Sequence, residues 1–163
     1  AVREQLAQLD SARILVRDAA DTPQIADGSV RLVVTSPPFL DVVQYKDDNW
    51  LRCWFCGIDA ETVPISVYRK LEQWQVKMTE VFQELVRVLQ PGGYVAFEVG
   101  EVRGGKVRLD EVVVPCGRAV GLDPVLILIN DQKFTKTANC WGVGNNQKGT
   151  NTNRVVLFRK DGP

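Results

Sequence analysis

Two spacings of apolar residues divide this chain. Short blocks dominated by apolar and often β-branched side chains occur at Ala12 to Arg17, Val30 to Thr35, Tyr94 to Val99, Pro124 to Asn130 and Arg154 to Lys160. Blocks of this length and composition predict strands. Between them the spacing changes to three and four. Val2, Leu6 and Leu9 predict a short helix that Asp10-Ser11 ends, and Trp50, Leu51, Trp54 and Phe55 predict a second between Asp47 and Gly57. The longest helix starts at Pro64 and Ser66 and carries Val67, Leu71, Trp74, Met78, Val81, Phe82, Leu85, Val88 and Leu89 on one face, with Pro91-Gly92-Gly93 as its stop. Asp110 to Gly121 reads as another helix, interrupted at Pro115. The aromatic residues of the 47–57 helix are expected to cover the core.

Strands alternating with helices predict an α/β fold, a parallel sheet whose last two strands form an antiparallel hairpin. No internal repeat, low-complexity tract or linker divides residues 1–163, so the pattern describes a single domain. Residues 131–153 form an unusually long connection, rich in Asn, Thr, Lys and Gly. Loops beyond ~15 residues are uncommon in compact domains and are commonly functional.

Composition removes several kinds of chemistry. The 163 residues carry 20 basic and 20 acidic side chains, so any contact with nucleic acid must come from a local patch rather than a global field. There is no histidine, which excludes imidazole bases, Ser-His triads and histidine metal sites. Cys53 and Cys56 stand one helical turn apart, but Cys116 and Cys140 lack the close spacing of a zinc ribbon, so buried free thiols are expected. No apolar run reaches the ~20 residues that span a bilayer, and a cytoplasmic setting is expected. Gly100-Glu101-Val102-Arg103-Gly104-Gly105 departs from the glycine fingerprint of dinucleotide sites and reads as a mobile loop.

Chemistry concentrates at Thr35-Ser36-Pro37-Pro38-Phe39. Two prolines cannot donate to a sheet ladder, so the strand stops there in a stiff turn. The Ser36 hydroxyl and nearby carbonyls are left to accept hydrogen bonds from an amino group, beside an aromatic face. Ser36, Pro37, Pro38 and Phe39 resemble the catalytic motif of the DNA amino-methyltransferases, in which Asp, Asn or Ser precedes Pro-Pro and an aromatic residue. The resemblance implies that a flipped adenine or cytosine stacks on Phe39 while its exocyclic amine donates to Ser36 and to the Pro37 carbonyl. Serine at the first position leans toward cytosine.

A second match lies about 50 residues later. Arg87-Val88-Leu89-Gln90-Pro91-Gly92-Gly93 followed by a strand is similar to a segment of many S-adenosylmethionine-dependent methyltransferases. The resemblance, from about Ala12 to Lys160, implies a partial Rossmann-like class I methyltransferase sheet with flanking helices. S-adenosylmethionine is then the cofactor, held by Asp18, Thr35, Glu98 and Gly100. Asp41 and Tyr45 fit the loop that closes over base or cofactor. DNA is the implied partner, contacted by Tyr45 and by Lys133, Lys136, Trp141, Lys148 and Arg154, with Phe134 interleaved. The setting implied is restriction and modification.

The family's Phe-x-Gly-x-Gly cofactor segment has no counterpart in the sequence. That absence, with a chain that begins at Ala1, implies a piece of a larger enzyme, one chain of a split enzyme, or a decayed relative. In the family's sheet the strand leading into that segment lies beside the catalytic strand. Val30 to Thr35 is therefore expected to be covered by Ala12 to Arg17, by a second copy in a homodimer, or by a partner chain. The alternative function is a non-catalytic binding module that keeps the fold. Methylation of RNA or a protein amide through an Asn-Pro-Pro-Tyr site is disfavoured by Ser36 and Phe39.

Overall fold

The computed structural model describes residues 12–38, 40, 45–103, 105–131 and 152–162. Its elements are β1 (Val30–Thr35), α1 (Tyr45–Phe55), α2 (Leu71–Val88), β2 (Leu89–Val102), β3 (Val107–Arg108), α3 (Leu109–Ala119), β4 (Leu122–Asp131) and β5 (Thr152–Lys160). The sheet runs β1-β2-β5-β4, and β3 pairs with β2. Only β1 and β2 are parallel, while β2–β5, β4–β5 and β2–β3 are antiparallel. The expected hairpin of the last two strands is present, and the parallel part of the sheet is confined to a single pair.

Register assigns each residue to a face. Val33, Val95, Phe158 and Pro124 lie in one row across the four strands, and Thr35, Phe97, Val156 and Ile127 lie in the next. This face meets Trp74, Met78, Val81 and Phe82 of α2 and Leu109, Val113 and Cys116 of α3 in a single core. Phe82 is its centre, with ring centroids 4.7 Å from Phe97 and 5.2 Å from Phe158. Gly117 of α3 is required by this packing, because a Cβ there would lie 2.4 Å from the Phe158 ring.

The opposite face carries the rows Leu32–Tyr94–Arg159–Asp123 and Val34–Ala96–Leu157–Leu126. Leu32, Val34, Tyr94, Leu126 and Leu128 are exposed there. Sheets with a parallel core normally carry helices on both faces, and among the described residues nothing covers this face or the outer edge of β1.

Several expectations are corrected. Ala12 to Arg17 forms no strand and does not cover β1, whose sole strand neighbour among the described residues is β2. Ile14 and Val16 are both 94% exposed. An apolar block becomes a strand only when an edge takes it up, and here none does. The aromatic helix is present as α1, but it buries no residue, and Trp50, Leu51, Trp54 and Phe55 are exposed. Its stripe faces away from a core that α2 and α3 already fill. The longest helix begins at Leu71 rather than near Pro64, with Lys70 extended at its cap. It ends at Val88, and Leu89 already belongs to β2, which reaches Val102. Gly92 adopts φ 76, so the Pro-Gly-Gly stop becomes an irregular start to the strand.

Arg87 explains why the segment before that stop matters. Its guanidinium donates to Glu84, to the Thr22 carbonyl at 2.9 Å and to the Ile25 carbonyl at 2.9 Å, and it also pairs with Asp27. The Thr22 N–H and hydroxyl donate to Glu84 Oε1 at 2.7 and 2.5 Å. The loop leading into β1 is thereby pinned to α2. Lys160 Nζ donates to the Val86 and Leu89 carbonyls and closes the C-terminal end of α2.

The hydrogen bonds from Arg87, followed by that of the Thr22 hydroxyl, hold the Glu84 carboxyl down to about 2, from an ordinary 4.5. A depressed carboxylate contributes stability above its unfolded pKa, and that contribution is lost as pH falls through the folded value. Urea midpoints are therefore expected to decline from about pH 4.5 toward pH 2, and Glu84→Gln to flatten that part of the profile. Coincident profiles for the two proteins would contradict this.

Candidate active site

The turn that ends β1 is built as its prolines require. Ser36 is exposed, Pro37 and Pro38 are half-buried, and Leu40 is buried at 1% exposure as an anchor beyond them. Trp74 reaches from α2 and donates its indole N–H to the Pro38 carbonyl at 3.0 Å. Phe39 lies outside the described residues.

A cavity of about 680 Å3 opens on this turn. Thr35, Ser36, Pro37 and Pro38 form one wall, Phe97, Met78 and Val81 form the floor, and Asp18, Asp21 and Lys77 supply charge. Its position at the carboxyl end of the parallel pair is where open α/β sheets bind ligands, and its size lies in the ~300–1,000 Å3 range of ligand sites. Lys77 Nζ donates to Asp18 Oδ2 at 2.8 Å, and the Ala20 N–H donates to Asp18 Oδ1. The Lys77 hydrogen bond, with the Ala20 amide second, holds the Asp18 carboxyl below its usual range. The same hydrogen bond raises the Lys77 ammonium. Asp18 is thus an ionised acceptor on the cavity wall, held at a fixed angle.

A smaller cavity of about 410 Å3 lies on the other side of Pro38, between α1 and the 58–65 segment. Tyr45, Asn49, Cys53, Cys56, Ile58, Val63 and Ile65 line it. Pro38, Val63 and Ile65 border both cavities, so the Pro-Pro turn stands at their junction.

The structure brings together Asp18, Thr35, Ser36, Pro37 and Pro38. Tyr45 borders the smaller cavity. Glu98 and Gly100 do not line the larger one. Glu98 lies in the β2–β5 pairing, where it accepts from the Asn153 amide, and Gly100 is buried opposite Asn153. Arg154 is corrected as a DNA contact. It is buried on the helix-covered face, with Nη2 3.7 Å from Glu101 and Nε 3.4 Å from Asp110. Asp41, Lys133, Phe134, Lys136, Trp141 and Lys148 lie outside the described residues. Cys116 is a buried thiol, pushed up by burial, whereas Cys56 is exposed, against the expectation for it. Among the described residues no cluster suits a metal ion, and no helix is long and apolar enough to cross a membrane.

Lys77, Trp74 and Phe97 escaped the sequence reading as site residues. Trp74 and Phe97 read there as core. Lys77 had a signal: it sits between Trp74 and Met78 on an otherwise apolar helix stripe, where a charge needs a partner.

No family model matches the chain. The Type II methyltransferase M.BglII of Bacillus subtilis is 30% identical over 103 residues, which is 61% of this chain. Over those residues the chain is similar to a Type II methyltransferase. It spans 23% of the length of that curated relative. Among solved structures, a protein assigned as a DNA modification methylase of Thermus thermophilus, complexed with S-adenosyl-L-methionine, matches with TM-score 0.56 at 23% identity, covering 91% of this chain and 53% of its own. A protein assigned as a sarcosine dimethylglycine methyltransferase of Galdieria sulphuraria matches with TM-score 0.53 at 15% identity, covering 98% and 63%. At these identities the structural likeness shows the fold, that of the class I methyltransferases.

Proposed function

We propose that this relative of the DNA methyltransferases carries the acceptor half of a site that moves a methyl group from S-adenosylmethionine to an exocyclic amine of cytosine or adenine in DNA. The observation that carries the reading is the Ser36-Pro37-Pro38 turn at the carboxyl end of β1, on the wall of the larger cavity. That cavity suits the cofactor in size and in donor set. Asp18 offers an ionised acceptor to hydroxyl or amino groups, and Phe97, Met78 and Val81 offer apolar contact.

S-adenosylmethionine supplies an electrophilic methyl group on a sulfonium centre. The chain's part is to orient and desolvate the acceptor. Ser36 Oγ and the Pro37 carbonyl accept the two amine protons, which turns the nitrogen lone pair away from them and toward the cavity. Phe39 supplies the stacking face for a base flipped out of the duplex. The amine carries its own nucleophilic pair, so no histidine base is needed, and the surplus proton leaves to solvent at the exposed Ser36.

Lys133, Lys136, Trp141 and Lys148 contact DNA in this reading, and the chain works as one part of an assembly in the cytoplasm. A second copy or a partner chain covers the free edge of β1 and completes the cofactor site. The edge of β1, unpaired among the described residues, and the exposed apolar side chains of Leu32 and Val34 beside it support this part. The second reading, a non-catalytic module, is favoured by the absence of a glycine-rich cofactor segment from the sequence.

Titration calorimetry of the isolated chain with S-adenosylmethionine separates them. Weak binding or none is expected of the isolated chain, whose cofactor site is incomplete. Weak saturable binding at one site supports the transfer reading over the module, and tight stoichiometric binding by a monomer contradicts the need for a second chain.

A further inference from the structure

We propose that Trp74 is a positioning residue for the amine-accepting turn, acting through its hydrogen bond to the Pro38 carbonyl. For its catalytic consequence this rests on the methyl-transfer reading; the geometry stands apart from it. The argument begins with the torsions the turn has left. Proline rings fix φ at Pro37 and Pro38. Ser36 and Pro37 each precede a proline and are both biased to extended geometry. Pro38 precedes Phe39, so its own ψ escapes that restriction. It is the least restricted ψ of the Ser-Pro-Pro unit. It sets where the Pro38 carbonyl points and in which direction the chain is carried toward the aromatic residue.

Trp74 holds that torsion. The indole N–H meets the Pro38 oxygen at 3.0 Å, and the ring is 1% exposed, packed into the core with Met78 and Phe82. A donor on a side chain this confined fixes its acceptor in place. The Pro38 carbonyl is held from the core side, while Ser36 and Pro37 line the larger cavity. The bland account is that a buried indole merely needs an acceptor. The two accounts differ in what happens when only the N–H is removed.

The experiment replaces Trp74 with 3-benzothienylalanine, which keeps the bicyclic shape and substitutes sulfur for the N–H. Trp74→Phe is a second variant, and far-UV circular dichroism verifies folding of both. Expected in the folded variants are kcat lowered by ~10- to 100-fold, as for a reacting group moved by a fraction of an ångström to an ångström, and KM for the methyl donor changed by less than about three-fold. The amide resonances of Ser36 and Leu40 are expected to shift while those of β4 stay. Full kcat in a folded variant, or unmoved Ser36 and Leu40 resonances, would overturn the proposal. A wild-type chain that transfers no methyl group at any donor concentration, with or without a second chain to complete its cofactor site, contradicts the methyl-transfer reading instead, and the resonances then decide the positioning claim alone.

Discussion

Ser36→Ala is expected to reduce methyl transfer to DNA by about two- to ten-fold, with fold and stability preserved, and Phe39→Ala by about five- to 150-fold. Ser36 is exposed at the end of β1, so its hydroxyl is not part of the packing that holds the sheet. Its removal takes one of two acceptors from the amine, and a hydrogen bond to an oriented group is worth about 0.5–1.5 kcal/mol. Loss of the Phe39 ring removes a stacking face worth ~1–3 kcal/mol per base. The losses are expected in kcat/KM for DNA; Ser36 also lines the larger cavity, so cofactor affinity is measured alongside. Transfer of a tritiated methyl group measures both, and full activity of both variants would remove the turn from the chemistry.

Arg154→Met is expected to cost about 3–5 kcal/mol of stability and to leave DNA affinity per folded molecule unchanged. The guanidinium lies between Glu101 and Asp110, and its side chain is only 9% exposed. Removing one partner of a buried ionic group leaves the other charges uncompensated, which is far more costly than the net worth of the intact pair. Urea denaturation gives the first quantity and a binding isotherm the second. An unchanged urea midpoint with weakened DNA binding would return Arg154 to the surface role that its neighbourhood of lysines suggests.

Arg154 also shows what sequence can and cannot carry. As a basic residue closing a long Lys- and Asn-rich stretch it looks like a phosphate contact. Strand period two places it on the covered face, in register with Val99 and Ile129, once β5 is known to start at Thr152. The boundary decided the role. The turn at Ser36 was legible because Pro-Pro is a local constraint that tertiary packing cannot override. The α2 stripe was legible because seven apolar positions from Leu71 to Val88 kept one period, although its start was not, since Pro64 and Val67 continue that period in a segment that is not helical. Ala12 to Arg17 failed for the opposite reason: a strand is defined by its neighbour, and no local pattern records whether a neighbour is present. The aromatic α1 was misplaced because amphipathicity says that a face seeks a partner, not that the partner lies within the same chain. Trp74 illustrates a further limit, since its stripe position predicted burial but not the carbonyl it would meet.

The most direct test of the central claim is the fate of the methyl group itself. The chain, at saturating S-adenosylmethionine labelled in the methyl carbon, is incubated with mixed-sequence DNA under single-turnover conditions. The DNA is then digested to nucleosides and separated by mass. Label on the exocyclic nitrogen of cytosine or adenine, formed more slowly in Ser36→Ala, is the predicted result. Label on a ring carbon of cytosine, or DNA that stays unlabelled while the chain binds the cofactor, would contradict it.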